Sequence, residues 1–392
     1  MSNVRHVLGI SGGKDSAALA IYLTNNYPEL DIEFYCCDTG RELDETYQLI
    51  DNLESQLAID IKKLKAVDND KLVLQNGNDD KKLTPFDYYL ESYRGFLPSS
   101  QARWCTKNLK LKPFEEYVGD DPAISYVGIR GDEDREAYIS TKPNIQSIFP
   151  YRKNIWSVDV ISLVLDNHNI GQLRDIYESK IKPDNLNRLI EEIEKPVTKE
   201  NNLDKKVNIL LDLDTIAFNE AVFEFLKKTD YPVGQLEEFP LIYNTDIIVR
   251  DEVFRMLEES GVGVPKYYEK REYEVDGETG TYARTRSGCF FCFFQQKIEW
   301  VWLYENNPEK FEKAQSYEKE GFTWMDNESL EELAQPERRK KIKRDHLKKQ
   351  KRRKKQGSNS NTLLSNLLEE NEKGEYFDKE EEDYTGCTIC FI

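Results

Sequence analysis

The chain has 392 residues, of which 39% are hydrophobic and 33% charged, and its formal net charge is −18 at pH 7. This length allows one large core with appended pieces, since domains usually span about 100–200 residues. The negative charge argues against a protein whose whole surface coats nucleic acid, and no run approaches the ~20 apolar residues of a membrane-spanning helix. With no secretory signal, we expect a cytoplasmic protein without a membrane partner, whose seven cysteines serve as metal ligands, catalytic thiols or core residues.

Strands and helices are predicted to alternate in the first part of the chain. An apolar run from Val4 to Ile10 predicts a buried strand, and a glycine-containing turn joins it to a helix over 15–24. A second strand over 31–37 precedes a helix over 43–57, and a third strand over 123–129 ends at another polar turn. This alternation predicts an α/β fold with a doubly wound, mainly parallel sheet, which binds ligands outside the carboxyl ends of its strands.

The turn after the first strand carries the most specific signal. It reads Ser11-Gly12-Gly13-Lys14-Asp15-Ser16. The paired glycines let the backbone approach a ligand closely, consecutive N–H groups form an anion-binding nest, and the helix N-terminus adds its positive end. We expect a diphosphate there, with Lys14 as a mobile cation, two serine hydroxyls as donors, and Asp15 either on Mg²⁺ or capping the helix. An ordinary glycine turn with a serine cap is the alternative.

This hexapeptide resembles the SGGxDS signature of PP-loop ATP pyrophosphatases, which bind ATP and cleave between its α- and β-phosphates. Phosphoadenosine phosphosulfate (PAPS) reductases proper typically carry a degenerate loop, so the intact loop favours the use of ATP. The resemblance is nearest to the PAPS reductase and Dnd-type sulfur-transfer branch and covers roughly residues 1–165 and 245–305.

Two further turns resemble segments of the same family. The second strand leads into Asp38-Thr39-Gly40, which looks like the family's D-T-G-x-E segment and is thereby implied to hold adenosine. Capping of the following helix is the alternative for these residues. The third strand leads into a segment similar to G-x-R-x-x-E-x-x-R, which implies that Arg130 and Arg135 hold phosphate or sulfate through their planar guanidinium groups. A solvated salt-bridge loop is the alternative there.

The cysteines form one central site and two pairs. The segment around Cys105 resembles the R-x-C-T-x-x-x-K motif of the Dnd-like branch, which implies a thiol beside the reaction centre, and nearby basic residues would favour its thiolate. Together with Cys289 and Cys292 it is similar to the set that binds a [4Fe–4S] cluster, with Cys387 or Cys390 as a candidate fourth ligand. Alternatively, the two C-x-x-C pairs would satisfy tetrahedral Zn²⁺, or a tail cysteine would act as a redox thiol.

A basic run lies near the end of the chain. Between Arg338 and Lys355 there are thirteen Lys or Arg residues against one Asp, enough to bind a phosphate backbone in a salt-dependent way. We therefore predict nucleic acid as a partner at 338–355. The alternative is a solvated helix that folds against the acidic tail or another protein, because no aromatic residues interleave with the cations.

These segments divide the chain into five predicted regions. They are a nucleotide-binding α/β domain at 1–175, a helical insertion at 176–240, the rest of the catalytic domain at 241–310, a helical region at 311–355 and an acidic, cysteine-containing flexible extension at 356–392.

The resemblance implies an enzyme that binds Mg-ATP, releases diphosphate and adenylylates an acceptor, for sulfur transfer or nucleic-acid modification such as occurs in phage defence. A sulfur donor and partner proteins would then be needed. The implied catalytic residues are Lys14, Asp15, Cys105, Arg130 and Arg135. The alternatives are a sulfonucleotide reductase or sulfate adenylyltransferase of sulfur assimilation, and a nucleotide-sensing protein that binds ATP without turnover.

Overall fold

The central element is a parallel sheet, as predicted. The computed structural model describes residues 4–67, 73–74, 81–133, 140–319, 321–357 and 376. Within them a five-stranded sheet has the order β3-β2-β1-β6-β7, and every neighbouring pair in it is parallel. Its strands are β1 Arg5–Gly9, β2 Ile32–Cys37, β3 Ile61–Leu64, β6 Ala123–Tyr126 and β7 Ile145–Ile148. Two antiparallel pairs lie outside it, β4 Val73–Leu74 with β5 Lys81–Lys82 and β8 Arg271–Val275 with β9 Glu278–Tyr282.

The order of the strands identifies where a ligand can bind. From β1 the chain moves to β2 and β3 on one side and then returns to β6 on the other side of β1. In register, Val7 pairs with Glu33 of β2 and with Ser125 of β6. The connections after β1 and β6 therefore leave the sheet in opposite directions, which opens a crevice at their carboxyl ends. The turn after β1 and the turn after β6 both lie at that edge.

Helices cover the sheet and make up most of the rest of the described structure. Their bounds are α1 Lys14–Asn26, α2 Asp44–Leu57, α3 Pro85–Ser92, α4 Trp104–Thr106, α5 Lys112–Val118, α6 Val158–Val164, α7 Ile170–Ile176, α8 Leu186–Glu194, α9 Leu203–Leu213, α10 Thr215–Leu226, α11 Arg250–Glu259, α12 Lys297–Asn306, α13 Pro308–Gln315, α14 Leu330–Leu333 and α15 Pro336–Gly357. Of the helices described, none is both long and apolar enough to cross a bilayer.

Apolar residues gather in two large clusters. The first joins the sheet and α1 to the helices of the predicted insertion, because Leu189, Leu210 and Phe218 lie in the same buried cluster as Leu8. The second joins α12–α15 and the β8–β9 pair to the segment around Trp104. The later part of the chain therefore packs directly against the first part.

The basic run forms part of α15 and is held by ion pairs on one side. Arg338 pairs with Glu328, Lys343 with Glu305 at 2.7 Å, and Arg344 with Asp276 at 2.5 Å. Ile342 and Leu347 are buried between these cations. The exposed face carries Lys341, Lys348 and Arg352, among others. One side of α15 therefore attaches the helix to β8–β9 and α12, while the other side faces solvent.

Candidate active site

The predicted phosphate loop lies at the carboxyl end of β1, directly before α1. The hydroxyls of its two serines contact each other, with Ser11 Oγ 3.0 Å from Ser16 Oγ, and the Ser11 N–H donates to Ser16 Oγ at 3.1 Å. Ser16 Oγ also lies 3.3 Å from the carbonyl oxygen of Gly13. The serines thus close the loop on itself. A phosphate that bound the two serine hydroxyls would have to replace these contacts within the loop.

Two glycines allow other parts of the chain to approach the loop. Gly12 has φ +72°, in the left-handed region, and a Cβ at this position would overlap Thr46 Cγ2. A Cβ on Gly13 would overlap Ser287 Oγ. The pair of glycines predicted to admit a ligand therefore also admits side chains from α2 and from the segment before Cys289.

Gly12→Ala is expected to lower the free energy of unfolding by roughly 2–4 kcal/mol, because left-handed strain adds to overpacking. The measurement is urea unfolding. The matched control is Gly277→Ala, since Gly277 has φ +78° but nothing within 4 Å of an added Cβ. That control should show only the backbone strain, about 1–2 kcal/mol. Equal losses at the two positions would mean that Thr46 moves aside without cost.

A buried ion network underlies the loop. Lys14 and Asp15 are 2% and 3% exposed, and Arg130 is fully buried. The two Asp15 carboxylate oxygens accept from Lys14 Nζ at 2.9 Å and from Arg130 Nη1 at 2.8 Å. Arg130 also pairs with Asp132 at 2.9 Å and with Glu133 at 2.8 Å. The Arg130 guanidinium therefore lies among three carboxylates.

The two cations determine the protonation of Asp15. Burial alone would raise the pKa of this carboxyl group, but Lys14 and Arg130 outweigh burial and lower it to about 2. Asp15 is therefore ionised at neutral pH, with an oxygen toward each cation. To bind Mg²⁺ as predicted, the Asp15 carboxylate would have to give up its contact with Lys14 or with Arg130. Arg130 holds Asp15 in place, and its predicted contact with phosphate stays a prediction.

Residues far along the chain cover the loop. The Lys14 backbone N–H points at the Tyr268 hydroxyl at 3.4 Å, and the Lys14 ammonium lies 5.5 Å from the centre of the Tyr268 ring. Tyr267 donates its hydroxyl to the carbonyl oxygen of Gly12 at 3.3 Å. Neither tyrosine is predicted from the sequence to belong to the site. An N–H group that a phosphate would use thus faces a phenol hydroxyl in this structure.

The second predicted turn lies beside the first and is tightly hydrogen-bonded. The Gly40 N–H donates to Asp38 Oδ1 at 2.7 Å, and Gly40 has φ +72°. Glu42, the acidic residue of the D-T-G-x-E segment, accepts from Thr39 Oγ1 at 2.6 Å and from the Tyr47 hydroxyl at 2.9 Å. Burial raises the pKa of Glu42 above its ordinary value. The polar groups of this turn therefore hold one another and fix the shape of the turn.

Three of the predicted cysteine ligands line one cavity. Cys105, Cys289 and Cys292 surround a cavity of about 50 Å³, and Thr39 of the second turn also lines it. An antiparallel bridge between Glu42 and Cys289 joins the C-x-x-C turn to the second turn, and Cys289 Sγ lies 3.2 Å from Thr39 Oγ1. The structure thus brings the thiols together at the edge of the sheet where the phosphate loop lies.

The thiol cavity does not by itself form a metal-binding group. In the part of the chain that the structure describes, no three His, Cys, Asp or Glu side chains are arranged to hold an ion. Burial raises the pKa of Cys289 well above its ordinary value, and the Glu42 carboxylate adds to this effect. Cys387, Cys390 and Arg135 lie outside the described residues, so their predicted roles stay predictions.

The first part of the chain is similar in sequence to known proteins. The phosphoadenosine phosphosulfate reductase domain matches residues 5–154, a range that includes the phosphate loop, the second turn, Cys105 and Arg130. An uncharacterized protein of Methanocaldococcus jannaschii is 27% identical over 164 residues, which cover 38% of this chain and 30% of that protein. The chain therefore spans less than a third of the length of this relative. Tyr268 and the C-x-x-C turn lie beyond the matched domain.

Proposed function

Because residues 5–154 belong to the phosphoadenosine phosphosulfate reductase domain family of the PP-loop superfamily, we propose that this protein is an enzyme that cleaves ATP between its α- and β-phosphates. The observation that carries the proposal is the loop Ser11–Ser16, which retains both glycines and Lys14 and lies at the crevice between β1 and β6. A loop of this kind offers N–H groups, a lysine and a helix N-terminus to a diphosphate.

The proposed reaction transfers an adenylyl group. An acceptor oxygen bonds to the α-phosphorus, and the bond from that phosphorus to the oxygen bridging to the β-phosphate breaks. Diphosphate leaves with the bonding electrons, and the proton of the acceptor passes to solvent. Lys14 would neutralise charge on the leaving group, while Arg130 holds Asp15 in place through their 2.8 Å contact. Adenosine would lie beside Asp38, Thr39 and Gly40.

The test is to identify the products formed from ATP labelled in the γ-phosphate. Labelled diphosphate is expected, together with AMP or an adenylylated acceptor. Labelled orthophosphate with ADP would contradict the proposal. ATP binding without any turnover would favour the nucleotide-sensing alternative, and binding of an adenosine phosphosulfate in place of ATP would favour the sulfonucleotide reductase alternative.

Sulfur transfer by way of the thiol cavity is a second part of the proposal. The support is that Cys105, Cys289 and Cys292 line one cavity next to Thr39. Their fit to a metal is incomplete within the described residues, since a [4Fe–4S] cluster or Zn²⁺ would need either closer thiols or a ligand such as Cys387 or Cys390. We therefore derive no reaction step through a metal.

Metal analysis after purification without oxygen distinguishes the possibilities. If a [4Fe–4S] cluster is bound, iron and acid-labile sulfide should be present in equal amounts and be lost in Cys105→Ser. If Zn²⁺ joins the two C-x-x-C pairs, zinc should be lost in Cys387→Ser and kept in Cys105→Ser. Cys36→Ala is the matched control, because Cys36 is buried in β2, away from the thiol cavity. Absence of all three elements would contradict both metal assignments.

Nucleic acid as the acceptor, a sulfur donor, partner proteins of a modification or defence system and a cytoplasmic location remain parts of this proposal. The exposed face of α15 is one candidate for docking nucleic acid, since its other face is taken up by ion pairs with Glu305, Glu328 and Asp276.

A further inference from the structure

A second basic surface lies close to the thiol cavity. Between Ser92 and Phe114 the sequence has five Lys or Arg residues and no Asp or Glu, although the whole chain has 73 acidic residues against 55 basic ones. Arg94 and Lys107 are exposed. Lys319 belongs to the same surface, because its ammonium group approaches Gly95. This stretch therefore gives a strongly acidic protein a local positive charge.

The same surface exposes aromatic rings. Tyr93, Phe96 and Phe322 are 42%, 39% and 36% exposed, and among the described residues Tyr243 is the other aromatic side chain this exposed. Phe96 and Phe322 meet edge to face with their ring centres 5.3 Å apart. Tyr93 stacks on Trp104 at 5.0 Å. Clustered exposed rings of this kind mark a surface that a partner covers.

The aromatic surface continues to the mouth of the thiol cavity. Trp104 directly precedes Cys105, and its indole N–H donates to the carbonyl oxygen of Phe96 at 3.0 Å. The Arg103 guanidinium lies 5.0 Å from the ring centre of Phe294, a residue that lines the cavity. A molecule lying along this surface would therefore reach the cavity that Cys105, Cys289 and Cys292 line.

We propose that this surface binds single-stranded nucleic acid and presents it to the thiol cavity. The surface, called the aromatic-basic surface below, consists of Tyr93, Arg94, Phe96, Arg103, Lys107, Lys319 and Phe322. Cations neutralise phosphates while exposed rings stack on bases, and the two together are the combination by which proteins bind single strands. A duplex hides the faces of its bases and cannot use the rings.

Two observations favour single-stranded nucleic acid as the partner of this surface. An acidic protein segment would satisfy the cations but would gain nothing from stacking on Phe96 and Phe322. On α15 the described residues expose cations without aromatic rings, so that helix is suited to the phosphates of any nucleic acid and not to bases. The inference rests on the proposed function only in taking the bound strand as the acceptor.

The experiment measures binding of a fluorescein-labelled oligothymidylate by fluorescence anisotropy, with the full chain and no nucleotide present. Phe96→Ala combined with Phe322→Ala should weaken binding roughly fivefold or more. Arg94→Gln combined with Lys107→Gln should also weaken binding. It should reduce the slope of the logarithm of the binding constant against the logarithm of the salt concentration by about 0.7 for each phosphate contact removed. Phe96 and Phe322 still bury most of their surface, so the aromatic pair should lose some stability, and a melting temperature above the assay temperature shows that each variant is folded.

Matched controls change the same chemistry elsewhere. Tyr243→Ala removes the other exposed ring, and Lys199→Gln combined with Lys205→Gln removes two exposed cations of the helical insertion, away from both α15 and the aromatic-basic surface. Both should bind oligothymidylate as the unchanged protein does. The inference is overturned if these controls lose as much affinity, if a duplex of equal length binds as tightly and is insensitive to the aromatic pair, or if polyglutamate displaces the strand.

Failure of this inference differs from failure of the proposed function. The Lys14→Ala variant should bind oligothymidylate normally, because Lys14 is buried in the phosphate loop and is not part of the aromatic-basic surface. An absence of diphosphate release from ATP would overturn the proposed function and leave the binding result standing, and the converse holds as well.

Discussion

Replacing Lys14 with alanine is expected to lower the rate of diphosphate release from ATP about a hundredfold or more, the usual cost of losing a group that stabilises charge in the transition state. Lys14 is the cation that begins α1, and its ammonium lies within the network of Asp15 and Tyr268. Labelled diphosphate is the quantity to follow. Asp15 keeps its contact with Arg130 in this variant, so the fold should survive.

The control for this result is Lys341→Ala, which removes a lysine from the exposed face of α15 and should leave diphosphate release unchanged. Circular dichroism and the melting temperature establish that both variants are folded. Undiminished release from a folded Lys14→Ala variant would exclude the loop as the site of ATP cleavage, whatever the products of the unchanged protein.

Arg130→Met is expected to destabilise the protein by roughly 3–5 kcal/mol, because it leaves buried carboxylates without their cation. Arg130 is fully buried and contacts Asp15, Asp132 and Glu133. The midpoint of urea unfolding at neutral pH measures the loss. Arg174→Met is the matched control, since Arg174 makes two ion pairs at the exposed surface and should cost about 0–1 kcal/mol. Similar losses for the two variants would show that the network under the loop contributes no more than a surface pair.

Acid should affect the same network in a defined direction. The pKa of Asp15 in the folded protein is lowered to about 2 from its ordinary 3.8. The stabilisation from its ionised form is therefore present above about pH 4 and is lost as the pH falls toward 2. In Arg130→Met one of the two cations is gone, so the pKa of Asp15 should rise and acid unfolding should begin at a higher pH. Unfolding at the same pH in both proteins would contradict the role assigned to Arg130.

The sheet and the turns that lead out of it could be predicted because their signals are local. The apolar run that predicted a strand at 4–10 forms β1 over Arg5–Gly9, and the run at 31–37 forms β2 over Ile32–Cys37. A glycine pair after a buried strand predicts a tight turn into a helix for reasons contained in six residues. Cys105 and Cys289 line one cavity, and the metal site that the family resemblance implied for them stays a prediction.

The cover of the site could not be predicted, because its contacts join distant parts of the chain. Lys14 and Tyr268 are 254 residues apart, and Glu42 and Cys289 are 247 apart. Hydrophobic periodicity describes which face of a helix or strand is buried and says nothing about which segment covers it. Tyr268 also lies in a short stretch of ordinary composition. Glu42 belongs to the D-T-G-x-E segment, but nothing in that segment indicates a contact with Cys289. Only the folded chain shows these two contacts.

Tyr268 and Cys289 are translated late, so the site cannot be completed until most of the chain has been synthesised. The segment that carries the family resemblance leaves the ribosome first, with its phosphate loop complete in sequence but without Tyr267, Tyr268 and the C-x-x-C turn. Domains fold as units during translation, and the buried cluster of the sheet extends as far along the chain as Val262, so the sheet lacks part of its core until that residue has been made. The candidate site is therefore complete only after this core and the bridge between Glu42 and Cys289 have formed.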